Sequence, residues 1–148
     1  MIVYFDTSAL VKGYVQEAGS SDVLALLEDE ENFFGSVAVT QVEMASAIQR
    51  AIRAIGASTT SFKAWQDFLD DWAAFSRVSV SPLMIERACG IAWEYGLRGY
   101  DSLHLAAALL WQESLGEQVT LATFDRDLWM AGRKAGMNVW PEDLVLNV

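Results

Sequence analysis

The sequence predicts an α/β protein with a central, mostly parallel sheet of about five short strands, held between helices as three layers. Three observations predict it. Short apolar runs alternate with longer segments of helical spacing, the order that builds a parallel sheet with crossover helices. Acidic residues recur where a strand-like run gives way to a helix. And 148 residues, 53% of them hydrophobic, suffice for a sizeable core in a single domain over 1–148. No Pro-rich or Ser/Gly-rich linker and no internal repeat divides the chain.

In order, residues 2–5 (IVYF) form a short buried strand that ends on Asp6. A first helix is expected from Ser8 to about Gln16, and a second from Ser20 to Glu30, closing in a run of acids. Residues 33–39 form the second strand. Val42, Ala45, Ile48, Ile52 and Ile55 set a helical stripe over 40–55 that stops at Gly56. Phe62, Trp65, Phe68, Leu69, Trp72 and Phe75 mark a further helix over 58–75. Val78 and Val80 alternate with Ser as a short strand. Pro82 suits the first turn of a helix running to about Tyr95. Residues 101–113 form an almost wholly apolar helix, and 119–122 a strand. A helix over 125–135 is closed by Gly136, and Val139 with Trp140 offers a last strand before an irregular tail.

A formal net charge of −10 argues against a broad basic surface for nucleic acid. It remains compatible with a nuclease whose acids gather around cations, and it suits a basic protein partner. The single Cys89 cannot form an internal disulfide and is expected as small core filler. A reducing, cytoplasmic setting follows, with no signal peptide and no apolar run long enough for a membrane.

Asp6, Glu43, Asp101 and Asp125 each stand at or near a helix start, and three of them follow a strand directly. In a parallel sheet those strand ends share one edge, where ligands bind. Each acid also has a simpler reading. Asp6, Asp101 and Asp125 suit helix N-caps, and Thr40 with Glu43 has the form of a capping box. Yet Ser or Thr, equally good caps, stand unused beside them. Clustered carboxylates repel one another unless cations neutralise them. Mg²⁺ and Mn²⁺ prefer such oxygen ligands, and one or two of them activate water and steady the leaving oxygen in phosphodiester hydrolysis.

The blocks YFDTSAL, TQVEMASA, GYDSLHLAAA and LATFDRDL, spread over nearly the whole chain, resemble those of PIN-domain ribonucleases, especially the VapC toxins of prokaryotic toxin–antitoxin pairs. The resemblance implies a PIN-like three-layer α/β/α fold and Mg²⁺- or Mn²⁺-dependent cleavage of RNA. It implies Asp6, Glu43, Asp101 and Asp125 as the metal-binding, catalytic acids. Asp6 and Asp101 are expected to hold the main ion. Ser8 matches a hydroxyl position that holds a metal-bound water or a phosphate oxygen, and Thr123 one that does similar work. It further implies a cognate antitoxin and a homodimer.

The motif favours Asp125 over Asp127, which lies two residues further along a helix and so faces elsewhere. His104, the only histidine, shares a helix face with Asp101, but without a second His or a Cys cluster a zinc site is not expected. Lys12, Arg98, Arg126, Arg133 and Lys134 are candidate phosphate contacts, with solvated surface charge as their plain reading. The aromatic stripe over 62–75 reads as core. Six Trp in the chain also raise a partner groove or dimer face there, holding an amphipathic antitoxin helix. An aspartyl phosphatase would want an Asp where Ser8 stands, and no glycine-rich phosphate loop is present. The alternatives are a non-catalytic PIN-like binding module and a PIN nuclease outside toxin–antitoxin pairs.

Overall fold

The computed structural model describes residues 1–56 and 58–144. The end of the expected irregular tail, 145–148, lies outside the described residues. Five strands, β1 (Ile2–Phe5), β2 (Phe33–Val37), β3 (Ser76–Val78), β4 (Val119–Ala122) and β5 (Asn138–Trp140), pair in the order β3-β2-β1-β4-β5, and every pairing is parallel. β1 is central. The chain builds outward from it through β2 to β3, then returns to lay β4 on its other side. That reversal opens a crevice at the C-terminal ends of β1 and β4, the ligand position in open parallel sheets.

Period-2 alternation sends Val3 and Phe5 to one face of the sheet and Tyr4 to the other. The first face is covered by α1 (Thr7–Leu10), α2 (Ser20–Glu28), α3 (Thr40–Ile55) and α4 (Ser58–Trp72), through Leu10, Val23, Met44 and Phe68. The second is covered by α5 (Pro82–Tyr95), α6 (Gly99–Leu115) and α7 (Arg126–Lys134), through Met84, Leu105 and Leu128. This is the expected three-layer α/β/α arrangement. Gly35 shows how closely α6 approaches: a Cβ there would stand 2.5 Å from the Trp111 ring.

Two expectations are corrected, and a third holds for the most part. The helix from Ser8 to Gln16 stops at Leu10 and tightens into a 3-10 turn, Val11–Gly13. At its end a Cβ on Gly13 would lie 2.6 Å from Leu27, so packing against α2 sets the turn. Cys89 is exposed rather than core filler, because Met84, Ala88 and Ile91 turn the buried face of α5 away from it. The stripe on α4 is mostly core: Phe68 and Trp72 are buried against Phe75 and the sheet, while Phe62 alone among its large aromatics is strongly exposed. Among the described residues no helix is long and apolar enough to cross a membrane.

Candidate active site

Asp6, Glu43, Asp101 and Asp125 line one cleft of about 620 Å³ at the C-terminal edge of the sheet, with Thr7, Ser8, Arg50, Arg98, Tyr100 and His104. Asp6 arrives directly from β1, Glu43 from the first turn of α3 behind β2, and Asp125 from the start of α7 behind β4. Asp101 comes from the first turn of α6. Gly96, at φ 67, ends α5 in the left-handed region, and the chain turns into α6 within three residues. Asp127 is exposed and does not line the cleft.

The capping and site readings turn out compatible for two of the acids. Asp6 Oδ1 accepts from Ala9 N–H at 3.0 Å and caps α1. Asp125 Oδ1 accepts from Leu128 N–H at 3.0 Å and caps α7, while its Oδ2 accepts from Arg98 at 3.0 Å. Asp101 is not a cap, since Arg98 holds that position. The capping box does not form. Thr40 is buried with its hydroxyl 2.7 Å from Ser36, and Glu43 Oε1 lies 2.7 Å from His104 Nε2.

Asp6 is the most enclosed acid, 4% exposed. Ser8 Oγ donates to its carboxylate at 2.8 and 2.9 Å, and Thr123 Oγ1 donates to Oδ2 at 2.9 Å. Each hydroxyl in turn accepts a backbone N–H of the β4–α7 link, Phe124 on Ser8 at 2.9 Å and Asp125 on Thr123 at 3.0 Å. Two short relays therefore lock β1's acid to the end of β4.

A PIN domain profile matches residues 3–133. The chain belongs to the PIN domain family. Ribonuclease VapC45 of Mycobacterium tuberculosis (strain CDC 1551 / Oshkosh) is 32% identical over 148 residues, covering 97% of each chain. PAE2754 from Pyrobaculum aerophilum has the same fold, with a TM-score of 0.65 at 21% identity over 98% of this chain and 88% of that one. So does a chain of a toxin–antitoxin complex from Klebsiella pneumoniae, at TM-score 0.59 and 19% identity over 84% of this chain and 88% of that one.

The electrostatics of this PIN domain are those of an acid cluster short of positive charge. Burial pushes the Asp6 carboxyl above its ordinary range, against the opposing influence of His104, Ser8, Ala9 and Thr123. Burial and then the neighbouring charge of Asp125 push Asp101 up as well, with Arg98 opposing. At Glu43 burial also raises the carboxyl, but the hydrogen bond from His104 prevails and holds it below its ordinary value. Arg98, 78% exposed at its side chain, bridges Asp101 at 3.1 Å and Asp125 at 3.0 Å. Among the described residues no Lys or Arg pairs with Asp6.

A hard divalent cation suits this donor set: carboxylate oxygens only, one of them buried with no full positive charge beside it. As the side chains stand, no three acids or histidines among the described residues close on one point to hold an ion. Arg98 and His104 occupy oxygens of Asp101, Asp125 and Glu43.

Four features of the cleft lay outside the sequence reading. Tyr4 passes for an ordinary apolar strand residue, and its partnership with His104 spans 100 positions. Arg50 gives no signal beyond its charge. Tyr100, 60% exposed, stands at the rim. Thr7 Oγ1 is buried without a hydrogen-bond partner, and only its place between Asp6 and Ser8 in the first motif pointed to it. Of the candidate phosphate contacts, Arg98 lies in the cleft. Lys12 is paired with Glu17 at 2.9 Å and lies over the Phe124 ring, and Arg133 lies over Trp129.

Proposed function

We propose that this PIN domain is a metal-dependent endoribonuclease and the toxin of a toxin–antitoxin pair. The observation that carries the reading is the meeting of Asp6, Glu43, Asp101 and Asp125 in one cleft at the sheet's C-terminal edge. Full-length identity of 32% to Ribonuclease VapC45 supports the activity class. Fold similarity to a chain of a toxin–antitoxin complex is consistent with an inhibitory protein partner.

Asp6 and Asp101 would hold Mg²⁺ or Mn²⁺, with Glu43 and Asp125 completing the set. When bound, such an ion neutralises charge at the reacting phosphate and acidifies water. The remaining work belongs to the protein. Ser8 and Thr123 fix the Asp6 carboxylate, so its lone pairs keep one direction. The Thr7 hydroxyl, buried in the cleft beside Glu43, would donate to a phosphate oxygen or a water. Arg50 and Arg98 offer positive charge at the cleft to an incoming RNA backbone, which offsets part of the chain's acidity. The amides at the start of α6, beside Asp101, add a favourable field for an anion.

The proposal places the whole activity in one domain over 1–148, acting in the cytoplasm, with a homodimer as the working assembly in solution. The deciding experiment incubates purified, partner-free protein with end-labelled RNAs of several classes in Mg²⁺ or Mn²⁺. Internal cleavage that EDTA and Asp6→Asn both abolish is the expected result. Absence of metal-dependent cleavage across a broad RNA set would favour a non-catalytic binding module instead. Sizing the same preparation by light scattering tests the dimer.

A further inference from the structure

The Glu43 carboxylate sits on a different structural footing from the other three acids. Its neighbour His104 is the chain's only histidine and is buried at 2% exposure. His104 Nε2 lies 2.7 Å from Glu43 Oε1, and Nδ1 lies 2.9 Å from the Tyr4 hydroxyl. Tyr4 is fully buried, and its oxygen accepts the backbone N–H of Val37, the last residue of β2, at 3.2 Å. The Tyr4 and His104 rings meet edge to face, with centroids 5.9 Å apart and planes at 78°.

For a neutral imidazole the contacts fit one proton assignment. The Tyr4 oxygen accepts from Val37 N–H and its own O–H can donate. His104 Nδ1 lies within reach as its acceptor, with the Ser36 hydroxyl also beside the phenol. A ring nitrogen that accepts leaves the ring proton on the other nitrogen, so Nε2–H faces Glu43 and donates to it. The relay Val37 N–H to Tyr4, Tyr4 to His104, His104 to Glu43 thus points every donor toward the cleft.

We propose that Tyr4 and His104 are positioning residues: they lock the ring in the Nε2–H tautomer and thereby hold the Glu43 carboxylate in place for a divalent cation. The inference rests on the cation reading given above. Glutamate carries three side-chain torsions, and ordering it costs conformational entropy at each binding event unless something fixes it beforehand. A half-buried Glu43 at the mouth of the cleft would otherwise sample several rotamers. The relay anchors it to the backbone at the C-terminal end of β2. It engages Oε1 and leaves the second oxygen outside the relay.

Because the chain holds a single histidine, a ring ¹⁵N–¹H correlation spectrum of the labelled protein has one source of signal. The wild type should show the proton on Nε2. Tyr4→Phe removes one oxygen, and the spectrum should change to a tautomer mixture. Mn²⁺ affinity, read by calorimetry on the metal-stripped protein, should fall about 10- to 100-fold in His104→Ala and less in Tyr4→Phe. His104→Gln, whose amide N–H reaches toward Glu43, should recover much of the loss, which a purely structural role would not predict. A wild-type proton on Nδ1 overturns the proposal. So does unchanged Mn²⁺ affinity in folded His104→Ala, or in Tyr4→Phe should the alanine variant fail to fold. A wild type that shows the Nε2–H signature yet takes up no Mn²⁺ overturns the cation reading itself, and this role with it.

Discussion

Thr123 and Asp6 are 117 positions apart in the chain and 2.9 Å apart in the fold, with the Thr123 hydroxyl donating to Asp6 Oδ2. The same hydroxyl accepts the Asp125 backbone N–H, so one oxygen ties two of the four acids together. Thr123→Val keeps the shape and removes both bonds. Partner hydrogen bonds of this kind are worth about 10- to 100-fold in metal affinity or activity, and RNA cleavage should fall by that factor without loss of fold. Thr123→Ser should retain most of the activity. Equal rates for the Val and wild-type proteins would show that the relay does not matter.

Asp6 binds its proton more tightly in the fold than in the unfolded chain, because burial raises its folded pKa above the ordinary 3.8. Between those two values unfolding releases a proton, so stability falls as pH rises through that window. The groups facing it are His104, which opposes the shift, and the neighbouring acids Asp101 and Asp125 with Arg98 between them. In EDTA, Asp6→Asn should therefore unfold at a higher temperature than wild type at neutral pH. The difference should shrink as pH falls toward the ordinary aspartate range. Adding Mn²⁺ should raise the wild-type melting temperature and leave the variant unmoved. A stability gap that stayed constant from about pH 3 to about pH 8 would contradict this.

Arg98 bridges Asp101 and Asp125 with one guanidinium, so a cation drawn to the same acids has to compete with it. The arginine is largely exposed, and its hold is correspondingly weak. Arg98→Ala should strengthen Mn²⁺ binding about two- to fivefold, the scale of an exposed ion pair. RNA affinity should weaken in the same variant, most visibly at low salt, where a phosphate contact counts most. Weaker Mn²⁺ binding in Arg98→Ala would mean that the arginine organises the acids rather than competing for them.

Trp72 is buried at 2% exposure and donates its indole N–H to Gln41 at 3.1 Å. It stacks between Phe68 and Phe75 at centroid distances of 5.5 and 5.4 Å. Trp72→Ala should cost about 3–5 kcal/mol in a urea melt, as a core truncation. It is therefore a poor probe of a partner surface on α4, where the exposed Phe62 is the better choice. A cost below about 1 kcal/mol would show that this aromatic stripe is not the core it is read as.

What the sequence made legible was what local chemistry controls. Helix α3 runs from Thr40 to Ile55 as its stripe indicates, because Gly56 at φ 72 stops it in a conformation other residues avoid. Asp6 stood out because a buried strand that closes on a carboxylate needs a reason beyond the turn. Long-range partners stayed hidden. The Thr40–Glu43 spacing promised a capping box, but Ser36 on β2 takes the Thr40 hydroxyl and His104, 61 residues away, takes Glu43. Tyr4 read as filler because nothing local distinguishes a phenol that packs from one that also points its oxygen at a histidine. Cys89 failed as a core assignment for a related reason: a helix that also exposes Leu83, Ile85 and Trp93 does not declare its inward face.

The strand order has a consequence for how such a protein is made. β4 leaves the ribosome well after β1, yet it pairs directly with it. A nascent chain that has delivered only β1 to α5 carries Asp6 and Glu43 but neither Asp101, Thr123 nor Asp125. The four acids cannot meet until α6, β4 and the start of α7 have been made, so a partly made chain lacks the assembled cleft that would act on RNA, its own message included.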